Sequence, residues 1–123
     1  MIKVYNTNLE DHSCTKNNFP IYRGTPLGNP YAVKGKRTNL AKLTVPTREE
    51  AIDAYKLFFR EMYGKDNELT KYFDEIYEHY RNGEDIYLQC FCKPKPCHGD
   101  FIAQELQRKL IRENLANIRK KAN

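Results

Sequence analysis

From Ile86 onward apolar and polar positions alternate. Ile86, Leu88, Cys90 and Cys92 fall on one side, and Tyr87, Gln89 and Phe91 on the other. A period of two predicts a strand near 86–91. Pro94 and Pro96 exclude both its continuation and a helix, so Lys93 to Pro96 reads as a turn. Beyond Gly99 the period lengthens, with Phe101, Ile102, Leu106 and Leu110 marking one side of a helix that ends between Asn114 and Ala122.

The same patterning places the rest. Ile2 to Asn6 reads as a first strand, and Ile21 to Arg23 as a short second one. Thr7 to Phe19 is polar and irregular. Residues 31–46 form a basic connection with a short strand at Ala41 to Val45. Thr47 and Glu50 fit a capping box, and Ala51, Tyr55, Phe58 and Met62 follow at helical spacing until Gly64. A further helix spans Glu68 to Arg81, with Leu69, Tyr72, Phe73, Ile76, Tyr77 and Tyr80 as its apolar stripe and Asn82-Gly83 closing it. That aromatic stripe is read as core rather than as a stacking platform for bases.

Strands near 2–6, 20–23 and 86–91 separated by helices predict an α/β domain. Its sheet is small, mainly parallel and flanked by helices in a Rossmann-like manner. At 123 residues the chain fits one domain, 1–123, with a single modest core and a basic end at 112–123 that reads equally well as a frayed, solvated tail. No stretch approaches the ~20 apolar residues of a membrane span. Four cysteines in an uneven pattern, without a signal peptide, point to a reducing compartment, the cytoplasm, rather than to a disulfide framework.

Charge is unevenly spread. Residues 12–48 hold seven basic residues and no acidic one, and residues 86–123 hold eight basic and three acidic. Residues 49–85 hold five basic and eleven acidic, and the whole chain carries a formal +5. The positive excess lies in the segments with the least ordinary sequence, GTPLGNP and KPKPCHGD. This favours an anionic partner, a phosphate-bearing small molecule or nucleic acid, over a neutral one. Lysines collected on loops for solubility would give the same count.

Cys97, His98, Gly99 and Asp100 stand at a helix entrance, where unpaired N–H groups and a partial positive charge favour anions and thiolates. Three readings stay open. Cys97 or His98 is a reactive or ligand-holding group, its thiol pKa lowered by the helix end. Alternatively Cys90, Cys92, Cys97 and His98 bind zinc, against which the C-x-C-x4-C-H spacing and the adjacent Cys–His pair both speak. Or the cysteines are small apolar core residues, the reading adopted for Cys90. Asp100 in the first helical turn reads first as a cap. In GTPLGNP, Gly24 and Gly28 permit close backbone approach, Arg23 offers a fork for an anion, and Asn29 offers a donor–acceptor pair. The loop lacks the Gly-Lys-Ser/Thr ending of a P-loop and is not the dinucleotide G-x-G-x-x-G. His12 and His79 are assigned no role.

The strings IYRGTPLGNPY and CFCKPKPCHGDFIAQEL, in that order, resemble a family of small proteins from bacteria and their phages, domain of unknown function 4326. The resemblance covers about Val4 to Leu106. It implies an α/β fold and a site location, with Arg23, Gly24, Gly28, Asn29, Pro30, Cys92, Cys97, His98 and Asp100 on matching positions. It also implies a bacterial or phage-infected host cell.

Both motif loops follow strands, and in open α/β sheets ligands bind beyond the carboxyl ends of strands. The expectation is that Arg23, Asn29, Cys97, His98 and Asp100 line one concave surface. It would bind, and in an enzyme process, a nucleotide-like anion, with Cys97 or His98 as nucleophile or acid/base. No metal and no cofactor are expected there. The alternatives are a nucleic-acid-binding module, a phage accessory or interaction protein without catalysis, and a domain that sequesters a nucleotide without turning it over.

Overall fold

The computed structural model describes residues 1–12, 15–33 and 43–122. Among these described residues five strands and three helices follow in the order β1 (Ile2–Asn6), β2 (Asn18–Pro20), β3 (Tyr31–Val33), β4 (Leu43–Val45), α1 (Arg48–Met62), α2 (Glu68–Arg81), β5 (Ile86–Cys90) and α3 (His98–Ala122). The fold is α/β. β5 runs between β1 and β2 and is parallel to both, so that Val4 and Phe19 both align with Leu88. β3 and β4 form a separate parallel pair.

Alternation along β5 decides where the core lies. Ile86, Leu88 and Cys90 are buried, and they share one cluster with Tyr55 and Phe59 of α1, Phe73 and Ile76 of α2, and Phe101, Ile102 and Leu106 of α3. Full burial of a side chain such as Leu88 contributes about 1.5–3 kcal/mol. Among the described residues all three helices thus meet the sheet on the face of Ile86, Leu88 and Cys90. The other face carries Tyr5 and Tyr87, with the His12 ring between them at 4.6 and 4.9 Å. His12 is therefore packed between aromatic rings rather than freely solvated.

Two helix starts follow from side-chain caps. Thr47 accepts from the Glu50 N–H at 3.1 Å, and Asn67 from the Thr70 N–H at 2.8 Å. In α1 the buried rings are Tyr55 and Phe59, whereas Phe58 is only partly buried. The second strand also differs from expectation. It is Asn18–Pro20, and Ile21 follows it as a wholly buried residue whose N–H bonds Gln89 at 2.9 Å. Pro20 is tolerated because β2 is an edge strand. Tyr31–Val33, expected within a weakly ordered connection, is a strand. Of the strand expected at Ala41 to Val45, Leu43–Val45 is formed, and Ala41 and Lys42 lie outside the described residues, as does Cys14. α3 continues to Ala122 with its last turns exposed.

Candidate functional site

The parallel order sends the chain out of β1, β2 and β5 at the same edge of the sheet. Beyond that edge lies a cleft of about 140 Å³, lined by Tyr22, Arg23, Asn29 and Tyr31 from the β2–β3 segment, Arg48, Ala51 and Ile52 from α1, and residues from Cys90 to His98. Arg23 and His98 thus share one cavity, together with Asn29 and Cys97. Among the described residues no carboxylate lines it.

The first wall is built on backbone carbonyls. Arg23 Nε donates to Asn29 O at 2.8 Å and Nη2 to Tyr31 O at 2.9 Å, so the guanidinium ties the loop to β3 and keeps only part of its donor capacity. Burial lowers its pKa, which leaves an arginine charged all the same. Asn29, buried, donates Nδ2 to Ala51 O at 3.2 Å and accepts the Tyr31 N–H on Oδ1 at 2.9 Å. Gly24 and Gly28 are not part of the lining. Gly24 holds a φ of 99°, and a Cβ at Gly28 would lie 2.6 Å from Tyr22 O. Their task is to let this loop close on itself.

The second wall is the turn from β5 into α3. Asn6 at the end of β1 pins it, Nδ2 donating to Phe91 O at 3.1 Å and to Lys93 O at 3.0 Å. Cys97 is the residue before α3, and its Sγ accepts the Gly99 N–H at 3.1 Å. Asp100 Oδ2 returns the favour by accepting the Cys97 N–H at 3.3 Å, a reciprocal cap. The other Asp100 oxygen pairs with Lys93 Nζ at 2.5 Å. Asp100 is not among the residues that line the cavity, and both its oxygens are engaged at the helix start. The expectation that it lines the concave surface is corrected.

His98 is only 6% exposed. Its Nε2 donates to Ile21 O at 2.7 Å, and its ring meets Tyr55 edge-on at 4.8 Å. Burial pushes its pKa down to about 4, so near neutral pH it is an uncharged tether between α3 and the end of β2. Cys97 is 3% exposed. The reactive centre expected of these two residues meets two structural duties, a cap and a tether.

Sequence reasoning did not single out Arg48, Tyr22 or Phe91 as site residues, and it named Cys92 only as a candidate zinc ligand and a family position. Arg48 opens α1, and its Nη1 lies 3.4 Å from Pro96 O across the cleft. Tyr22 and Phe91 rings stand 4.8 Å apart at the rim, with Phe91 51% exposed. Cys92 is half-buried in the wall. Its thiol pKa is lowered, first by the hydrogen bond from the Cys97 thiol and then by the Arg48 and Arg23 charges. Cys97 moves the opposite way, because the Cys90 and Cys92 sulfurs hold its proton and burial adds to the effect. Of these signals only the placement of Cys92 within the family motif was available in the sequence. Among the described residues no group of three or more His, Cys, Asp or Glu is arranged to hold a metal ion. Nor is any helix among them long and apolar enough to cross a membrane.

The family model described as "Domain of unknown function (DUF4326)" matches residues 5–108. The chain belongs to this family. It is also 38% identical over 89 residues to an uncharacterized 12.4 kDa protein in the nrdA-td intergenic region of Enterobacteria phage T4. That alignment covers 72% of this chain and 66% of the phage protein, a little under two thirds of the relative's length. No solved structure matches the chain.

Proposed function

We propose that the cleft binds a phosphate-bearing, nucleotide-like anion. The observation that carries this reading is the meeting of Arg23 and Arg48 in a cavity whose described lining has no acid to neutralise them. The entrances of α1 and α3 add partial positive charge from two directions, since Arg48 and His98 are the first residues of their helices. The site lies beyond the carboxyl ends of β2 and β5, as ligand sites do in Rossmann-like sheets. In that sense the parallel sheet of this chain supports a Rossmann-like reading, although among the described residues its helices share one face.

Volume limits what enters. About 140 Å³ is close to the cavity that admits benzene, so one phosphate or one ring fits, and the rest of a nucleotide extends over the rim. The Tyr22–Phe91 pair is suited to stack against a base there. His98, uncharged and tethered, holds the wall in place.

The test is calorimetric titration of the purified protein with AMP, adenosine and inorganic phosphate at two salt concentrations. AMP is expected to bind more tightly than either fragment and to weaken with salt. Arg48→Gln, which removes a charge-assisted contact of roughly 1.5–3 kcal/mol, is expected to lower AMP affinity by about 10–100-fold. Adenosine binding as tightly as AMP, with no salt dependence, overturns the proposal.

A second reading has its own observation. Ile111, Leu115 and Ile118 lie exposed along one side of α3 at helical spacing, which favours a protein-interaction role for that end of the chain.

A further inference from the structure

Three free thiols line the cleft. Cys90 ends the central strand and is wholly buried, Cys97 caps α3, and Cys92 is half-buried in the cavity wall. The Cys97 thiol is within hydrogen-bonding reach of both other sulfurs. Lys95 N–H bonds Cys92 O at 2.9 Å, closing the turn that folds Cys97 back toward Cys92. Arg23 and Arg48 flank Cys92 on the side open to ligand. We propose that Cys92 is the reactive thiol of the cleft and Cys97 its resolving partner, a dithiol that reduces a disulfide carrying negative charge.

The chemistry is complete with the groups present and that one oxidant. The Cys92 thiolate attacks one sulfur of the disulfide RS–SR. An S–S bond forms between Cys92 and RS, the old S–S bond breaks, and one RS⁻ leaves. Cys97 then gives up its proton to the departing thiolate, attacks Cys92 Sγ and expels the second RS⁻, which takes from solvent the proton that Cys92 released on ionising. The protein ends with a Cys92–Cys97 disulfide and the substrate as two thiols, two electrons having passed from protein to substrate. The order of events follows from the thiol cluster. Before reaction Cys97 keeps its proton because neighbouring sulfurs hold it. Once Cys92 is bound in the mixed disulfide, its share of that hold is gone and only that of Cys90 and of burial remains. The helix entrance favours the thiolate that forms. The two arginines account for preference among disulfides, since carboxylates or phosphates on the substrate meet guanidinium forks on arrival.

The inference shares Arg23 and Arg48 with the proposed anion site but not its ligand, so either stands if the other fails. The probe is 5,5′-dithiobis(2-nitrobenzoate), a disulfide with two carboxylates, compared with neutral dithiodipyridine, on the full chain carrying Cys14→Ser. Stopped-flow absorbance is expected to show two thionitrobenzoate ions released per protein, and peptide mapping a Cys92–Cys97 disulfide. Cys92→Ser should abolish the fast phase. Cys97→Ser keeps a good capping residue at the helix start and should stop at one thionitrobenzoate released, with the mixed disulfide on Cys92. Arg48→Gln should cut the rate advantage of the anionic over the neutral probe roughly tenfold, as loss of local charge focusing predicts. First labelling of Cys90 or Cys97, a Cys92 adduct that persists in the protein retaining Cys97, or an anionic preference unmoved by Arg48→Gln overturns the proposal. AMP titration of the same samples reads the anion site separately.

Discussion

The burial of His98 predicts an acid-dependent loss of stability that belongs to one ring. In the folded chain its pKa lies at about 4, held down by burial, against an ordinary value of 6.5. Below pH 6.5 the unfolded chain takes up a proton that the folded chain refuses, so the unfolded state gains. The stabilisation from keeping the ring neutral is thus complete above pH 6.5 and is lost as pH falls toward 4. Each unit corresponds to about 1.4 kcal/mol, which integrates to roughly 2 kcal/mol between pH 7 and pH 5 and roughly 3 kcal/mol by pH 4. For a domain of this size, 2 kcal/mol lowers Tm by roughly 6–10 °C. The measurement is urea unfolding followed by far-UV circular dichroism at half-unit steps from pH 7.5 to 4.5, since the chain has no tryptophan to report by fluorescence. His98→Gln, which can still donate toward Ile21 O, is the control. Carboxylates such as Glu84 and Glu113, whose pKa values are depressed by their hydrogen bonds, titrate lower and contribute to both proteins alike. The difference between the two curves therefore isolates the ring. Parallel loss of stability in both proteins between pH 7 and 5 would refute the assignment of His98 as a neutral tether.

Tyr55→Phe removes a buried hydroxyl that donates to Leu27 O at 2.8 Å, and should destabilise the fold by about 1–2 kcal/mol in the same urea assay. Gly28→Ala sets a Cβ 2.6 Å from Tyr22 O and 2.9 Å from Arg23 Cα, both backbone atoms, so the loop must shift at a cost of about 1–3 kcal/mol. AMP affinity should fall with it, and an alanine variant unchanged in both stability and binding would show that the loop geometry does not set the position of Arg23.

Elements with a long period were legible in the sequence, and short or distant ones were not. Glu68–Arg81 is the helix that its aromatic stripe and the Asn82-Gly83 stop describe, and Ile86–Cys90 buries the face that alternation assigns to it. Three-residue strands carry no usable period. The apolar Ile21 therefore draws the expected strand to itself and away from Asn18–Pro20, whose pairing depends on a partner almost seventy residues away. The same holds for β3, which exists because β4 lies parallel beside it. The site divides in a similar way. A turn rich in glycine and proline announces a constrained loop, and a Cys-His pair before a helix announces an occupied helix entrance. Neither says which atoms remain free once the backbone has been satisfied. That Arg48 faces Cys92 follows only from α1 packing across the sheet edge.

The division of labour in the cleft follows from counting donors and acceptors. Arg23 gives two of its donors to carbonyls, Asn29 uses both ends of its amide, His98 gives Nε2 to Ile21, and Cys97 gives its sulfur to a helix cap. These bonds fix the wall before any ligand arrives, which lowers the ordering cost of binding. They also take the His98 ring out of use as a mobile acid or base. What the wall leaves available is the Arg48 guanidinium, whose described contact to Pro96 O is long at 3.4 Å, and the half-buried Cys92 thiol beside it. A cation with donors to spare next to a thiol of lowered pKa is suited to draw in an anion and react with it. On the proposed reading the chemistry of this site belongs to Arg48 and Cys92 with Cys97 as the resolving thiol, while Arg23, Asn29 and His98 hold them in register.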